Sequence, residues 1–144
     1  MRPVYVGAAV EMAAPPQEVF ALITDWPRHR EWMFMTSARQ VGERRVEAYT
    51  GVRPVGFLDT MTILVWEPPS HVLMEHTGRL VRGRGAIRVR PWRGGGSRVI
   101  WAEELLPPLG AAGRALWPAA RPIVAGLARC SLRRLARLLP ADPG

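Results

Sequence analysis

Five segments between residues 45 and 106 are rich in Val, Ile, Thr and Trp, and each is joined to the next by only a few turn residues. Short runs of β-branched and aromatic residues between turn clusters predict strands. Parallel neighbours would need crossover connections of about a dozen residues or more, which these turns are too short to supply. The chain therefore predicts an antiparallel meander, with strands at residues 45–51, 57–66, 72–79, 84–92 and 98–106.

Shorter elements precede the meander. Residues 4–12 alternate apolar and other side chains, which is the period of a half-buried strand. Pro15 and Pro16 suit the entrance of a helix, and that helix is expected to end before Pro27, since a residue that precedes proline is pushed out of the helical region. We expect a second short helix over residues 28–33.

A long helix follows the meander. Residues 111–139 place apolar side chains at helical spacing. Pro118 and Pro122 interrupt the backbone hydrogen bonds of an ideal helix, so they predict a kink or a restart near residue 118. Cys130 is expected on or near the packed side of this helix, as a buried and inert thiol.

Length and composition limit the class of protein. The 144 residues with 48% hydrophobic content predict one domain, spanning residues 1–144. One cysteine and three scattered histidines give no metal-ligand spacing, so we expect neither a metal nor a cofactor. The start of the chain lacks the pattern of a secretory signal, and no apolar stretch is long enough to span a membrane. A cytoplasmic protein is expected.

The positive charge is concentrated near the end of the chain. All 20 basic residues are Arg, the net charge is +8, and the last helix carries a basic surface at Arg129, Arg133, Arg134 and Arg137. Such a helix can attract an anionic membrane surface or an acidic partner such as an acyl carrier protein. A solvated helix face is the ordinary alternative. No nucleic-acid-binding motif is present, so we expect no nucleic-acid partner.

Several motifs carry a resemblance to a known family. They are the segment Val-Glu-Met-Ala-Ala-Pro-Pro-Gln-Glu-Val-Phe-Ala-Leu-Ile-Thr-Asp at 10–25, Trp32, the Trp-Glu-Pro-Pro turn at 66–69, the Gly-Gly-Ser-Arg-Val turn at 95–99 and the amphipathic final helix. Their order resembles the START-like (SRPBCC) superfamily, in particular its bacterial polyketide cyclase/dehydrase-like branch. The resemblance implies an α+β helix-grip fold, in which a curved antiparallel sheet wraps around the C-terminal helix, with two short helices after the first strand.

The same resemblance implies a cavity for an apolar ligand. Members bind lipids, sterols or polyketides, and some cyclise or dehydrate them. Cyclases of aromatic polyketides are expected to place an Arg from a middle strand inside the cavity, but residues 58–66 contain none. The leading hypothesis is therefore a protein that binds a small hydrophobic molecule, such as a polyketide, an isoprenoid or a lipid-like compound. The alternatives are a cyclase, aromatase or dehydratase, and an adaptor that acts through the basic helix.

His76 is the strongest catalytic candidate. If Gly85 and its alternate neighbours face the cavity, the adjacent strand points Met74 and His76 inward. An inward imidazole can exchange protons with a carbonyl substrate near neutral pH. The alternative is a histidine that is satisfied by a hydroxyl or a backbone group.

Glu103 is the second catalytic candidate. If Arg98 points outward, alternation turns Glu103 inward, where a carboxylate beside His76 suits acid/base work. The alternatives are an inverted register, or an ion pair with Arg114 or Arg121. For Asp59, the sequence likewise leaves open whether the carboxylate points into the cavity or away from it.

Flat and adaptable side chains suit the wall of a pocket. We expect residues 32–35 at its lip and Met74 and Trp117 deeper inside. For each of these side chains, ordinary core packing is the alternative, and Trp32 also suits an anchor for the second short helix. The expected ligand-binding residues are Trp32, Met33, Met35, Met74, Trp101 and Trp117.

Overall fold

A computed structural model describes residues 2–140 of the chain. The seven strands are β1 (Val4–Met12), β2 (Thr36–Gln40), β3 (Arg45–Val52), β4 (Val55–Glu67), β5 (His71–Thr77), β6 (Arg82–Pro91) and β7 (Ser97–Leu105). Two α-helices, α1 (Pro16–Ile23) and α2 (Gly110–Leu138), and two 3₁₀ helices, Trp26–Glu31 and Arg93–Gly95, complete the fold.

The strands form one antiparallel sheet in the order β1-β7-β6-β5-β4-β3-β2. From β2 to β7, each strand pairs with its neighbour in sequence, which confirms the predicted meander. β1 pairs with β7 instead, because α1 and the first 3₁₀ helix carry the chain from β1 to the opposite edge of the sheet. The sheet curls around α2, so the fold is the expected α+β helix-grip architecture.

Two elements differ from the prediction. The sequence does not predict β2, because Thr-Ser-Ala-Arg-Gln lacks an apolar alternation, and pairing with β3 is what makes it a strand. α2 is one continuous helix without a restart, although Pro118 and Pro122 lie inside it. Both prolines are exposed, so water can donate to the carbonyl groups that lose their helical partner.

The deeply buried part of α2 lies near its C-terminal end. Ser131, Leu132 and Leu135 are its buried residues, and both leucines are fully inaccessible to solvent. Earlier in the helix, Leu116 and Ile123 are each 65% exposed. Cys130 is also exposed, contrary to the prediction. The buried face of the helix is formed by Ser131, Leu132 and Leu135, and Cys130 lies outside it. The deep packing of α2 is therefore concentrated near its C-terminal end.

We expect Leu132→Ala to lower the free energy of unfolding by about 2–5 kcal/mol, since it leaves a cavity in the core. Leu116→Ala, on the exposed part of the same helix, should change it by no more than about 0.5 kcal/mol. Urea denaturation of the two variants measures the difference. Equal losses would contradict the anchoring of α2 at its C-terminal end.

Candidate functional site

A cavity of about 300 Å³ lies between the inner face of the sheet and α2. β4 to β7 supply most of one wall, and residues 124–131 of α2 supply part of the other. Most of the lining is apolar. Representative lining residues are Trp32, Met33, Met74, Ile87, Trp101 and Leu127.

A polar cluster interrupts this apolar wall. His76 is 8% exposed, and its Nδ1 lies 3.0 Å from both carboxylate oxygens of Asp59. On the other side of the ring, His76 Nε2 lies 2.9 Å from Glu103 Oε2. Trp101 Nε1 donates to Glu103 Oε1 at 2.8 Å. One imidazole is thus held between two carboxylates, and an indole orients the second of them.

Strand register brings the three groups together. Met61 pairs with His76, so Asp59, two residues from Met61 on β4, lies on the same face of the sheet. Glu103 on β7 pairs with Gly85 on β6. A Cβ at Gly85 would lie 2.6 Å from both carboxylate oxygens of Glu103. Because Gly85 has no side chain, the Glu103 carboxylate can lie across β6 and reach the histidine on β5.

The two carboxylates determine the charge of His76. Burial lowers the pKa of this imidazole, but the hydrogen bonds and negative charges of Asp59 and Glu103 together outweigh burial and raise the pKa to about 10. His76 is therefore an imidazolium at neutral pH, and it donates both ring N–H groups to carboxylates. The cluster as a whole carries one net negative charge.

The cavity contains most of the predicted site residues. On β5, β6 and β7, the residues predicted to face the cavity do face it. The structure also brings His76 and Glu103 into direct contact. Arg114 and Arg121 do not pair with Glu103, because they donate instead to the backbone carbonyls of Arg2 and Tyr5. The predicted lining residues that do line the cavity are Trp32, Met33, Met74 and Trp101.

Two predicted lining residues lie elsewhere. Met35 is 46% exposed and has a φ of 46°, a left-handed turn that precedes β2 and leaves its side chain outside the cavity. Trp117 lies on the side of α2 that faces β1, where it lines a separate groove with Val6 and Arg121. Spacing along the sequence placed both residues near the cavity, but the side chains point in other directions.

Asp59 has a larger part in the cluster than the sequence suggested. In β4 the register shifts between Ile63 and Val65, so Trp66 pairs with Val72 whereas Ile63 pairs with Met74. Alternation counted from the β4–β5 turn therefore places Asp59 on the wrong face. The mixed sequence of β4 contains no signal that would have revealed this bulge.

The predicted basic surface lies on the outside of α2. Arg129, Arg133, Arg134 and Arg137 are all exposed, and none forms a salt bridge with a carboxylate within residues 2–140. Attraction of an acyl carrier protein or of an anionic membrane surface stays a prediction.

No helix within the described residues is long and apolar enough to cross a membrane. In the same part of the chain, no group of three or more His, Cys, Asp or Glu side chains is arranged to hold a metal ion.

We expect Gly85→Ala to displace the Glu103 carboxylate, because the added methyl group would occupy the space of its oxygens. The pKa of His76, measured by NMR titration, should then fall from about 10 toward its ordinary value of 6.5. Gly78→Ala is the matched control, since a Cβ there meets only ordinary contacts of 3.5 Å or more. An unchanged titration of His76 in Gly85→Ala would show that Glu103 does not depend on Gly85.

The raised pKa of His76 predicts how stability depends on pH. The stabilisation from the folded-state imidazolium should be complete below pH 6.5 and should be lost as the pH rises toward about 10. Over that window, the difference in unfolding free energy between the wild type and His76→Gln should shrink by up to about 1.4 kcal/mol per pH unit. Urea denaturation of both proteins at a series of pH values measures this difference. A difference that does not change with pH would show that Asp59 and Glu103 do not stabilise a charged His76.

Comparisons with known proteins agree with this architecture. The family model described as "Polyketide cyclase / dehydrase and lipid transport" matches residues 4–140. No curated protein is significantly similar in sequence.

Solved structures show the same fold. A protein from Thermus thermophilus has a TM-score of 0.77 at 18% identity, over 94% of this chain and 97% of that one. A START superfamily protein from Mycobacterium smegmatis has a TM-score of 0.67 at 13% identity, over 94% and 93% of the two chains. At these identities the likeness concerns the fold, and the family model covers nearly the whole sequence. The chain therefore belongs to the polyketide cyclase / dehydrase and lipid transport family.

Proposed function

We propose that this protein binds a small hydrophobic molecule, such as a polyketide, an isoprenoid or a lipid-like compound, in the cavity between the sheet and α2. The observation that carries the proposal is a cavity of about 300 Å³ whose wall is apolar except for a few polar groups. Cavities of this kind are typical of small-molecule sites. Each Å² of apolar ligand surface removed from water contributes about 25 cal/mol to the favourable part of the binding free energy.

The state of His76 favours binding over proton transfer. A general base needs a free lone pair, but both ring nitrogens of His76 donate to carboxylates. The ring would have to lose a proton and a partner before it could accept a proton from a substrate. A cyclase, aromatase or dehydratase that uses His76 and Glu103 is therefore the second candidate, favoured only by the position of this cluster on the cavity wall.

Filling the cavity should abolish binding. Ala128 on α2 lines the cavity, and the ring of Ala128→Phe would occupy part of the cavity volume. With the neutral fluorescent probe N-phenyl-1-naphthylamine, we expect saturable binding to the wild type and a loss of about tenfold or more in affinity for Ala128→Phe. Fluorescence titration measures both values.

Ala115→Phe is the control, because residue 115 lies on the exposed side of the same helix. Its affinity for the probe should match that of the wild type. Binding that is equal in all three proteins would place the probe outside the cavity. If neither this probe nor any other small apolar molecule tested bound to the wild type, that result would contradict the proposed function itself.

A further inference from the structure

The polar cluster on the cavity wall has more acceptors than donors. Two carboxylates offer about eight lone-pair sites. The described residues donate three side-chain N–H groups to them, two from His76 and one from Trp101. The side chains of Asp59 and Glu103 remain 13% and 16% exposed, and both line the cavity. Unfilled acceptor positions are therefore within reach of a bound molecule.

Three other polar side chains of the wall already have partners. The His29 ring contacts the Ile23 carbonyl at 2.6 Å, and the Thr36 hydroxyl donates to the Phe34 carbonyl. The Ser131 hydroxyl accepts from the Phe34 N–H. Trp32 keeps an indole N–H without a partner among the described residues, but its nitrogen is shielded from solvent. The unfilled acceptor positions of charged groups on the wall are thus those of the two carboxylates.

The net charge of the wall is negative. Among residues 2–140, no Arg lines the cavity. The imidazolium of His76 is the cation of the wall, and two carboxylates neutralise it and leave one negative charge. Because both carboxylates are mostly buried, they repel like charges more strongly than they would in bulk solvent. A carboxylate or phosphate head group would meet this repulsion, and the imidazolium of His76 is already paired on both ring nitrogens.

We infer that the ligand carries, at its polar end, a hydrogen-bond donor without negative charge, a hydroxyl or an amine, which Asp59 and Glu103 receive. This inference rests on the proposed function, because it concerns the same cavity. It excludes free fatty acids and phosphorylated lipids as the preferred ligands, and it favours alcohols, phenols and amines with an apolar body.

A series of naphthalenes of similar size tests the inference on the wild type. The series is 2-naphthol, its methyl ether 2-methoxynaphthalene, 2-naphthoate and 2-naphthylmethylamine, each titrated at neutral pH by calorimetry. The naphthol should bind about tenfold more tightly than the ether, which lacks the donor. The naphthoate should bind most weakly of the four. The amine shows whether the favoured donor is a hydroxyl or a charged ammonium group.

A charge-neutral variant tests the role of the carboxylate. In Glu103→Gln, the affinity for 2-naphthoate should rise about tenfold or more relative to 2-naphthol, because the net negative charge of the cluster is gone. Glu104→Gln makes the same change on the adjacent, exposed residue of β7 and should leave the ratio unchanged. Circular dichroism of both variants establishes that they are folded, and the wild-type series remains decisive if one is not.

The inference is overturned if the wild type binds the ether as well as the naphthol, or binds the naphthoate most tightly. It is also overturned if Glu103→Gln folds and keeps the wild-type ratio. The proposed function fails separately, if neither N-phenyl-1-naphthylamine nor any of the four naphthalenes binds in the cavity.

Discussion

The anchoring of α2 at its C-terminal end is the constraint on which the cavity depends. Leu132 and Leu135 are fully buried against the sheet and the short helices, whereas the buried positions of the helix do not extend toward its N-terminal end. A helix packed along its whole length would fill the concave face of the sheet with side chains. Because α2 packs deeply over about one turn, it covers the concave face and leaves space beneath its middle part.

Stability alone does not explain the charged cluster in this space. Removing three ionisable groups from water costs several kcal/mol for each ion, and their mutual attraction repays this cost only when the geometry is good. Apolar residues of similar volume at the same positions would commonly be as stable or more stable. Asp59, His76 and Glu103 line a cavity, where an apolar wall would have been the simpler solution. This position suits groups that contact a ligand.

The sequence predicted the face of a strand where alternation was clear and left the face open where alternation was broken. On β6, Arg84 and Arg88 point to water, so the inward position of Gly85 follows directly. The face of β5 follows from that of its neighbour β6, and the face of β7 follows from an outward Arg98. On β4, the register shift after Ile63 reverses the alternation and hides the role of Asp59. A bulge depends on how two strands meet, so the residues of one strand do not predict it.

The polar and apolar parts of the cavity wall differ in how far their side chains can adapt. Asp59, His76 and Glu103 project from β4, β5 and β7, whose ladders of hydrogen bonds fix their separations. Met33 and Met61 belong to the apolar wall, and methionine side chains adjust to different shapes at little cost. Groups on rigid strands hold their geometry better than groups on loops. Selectivity for the polar end of a ligand should therefore be strict, whereas the apolar wall should accept bodies of different shapes.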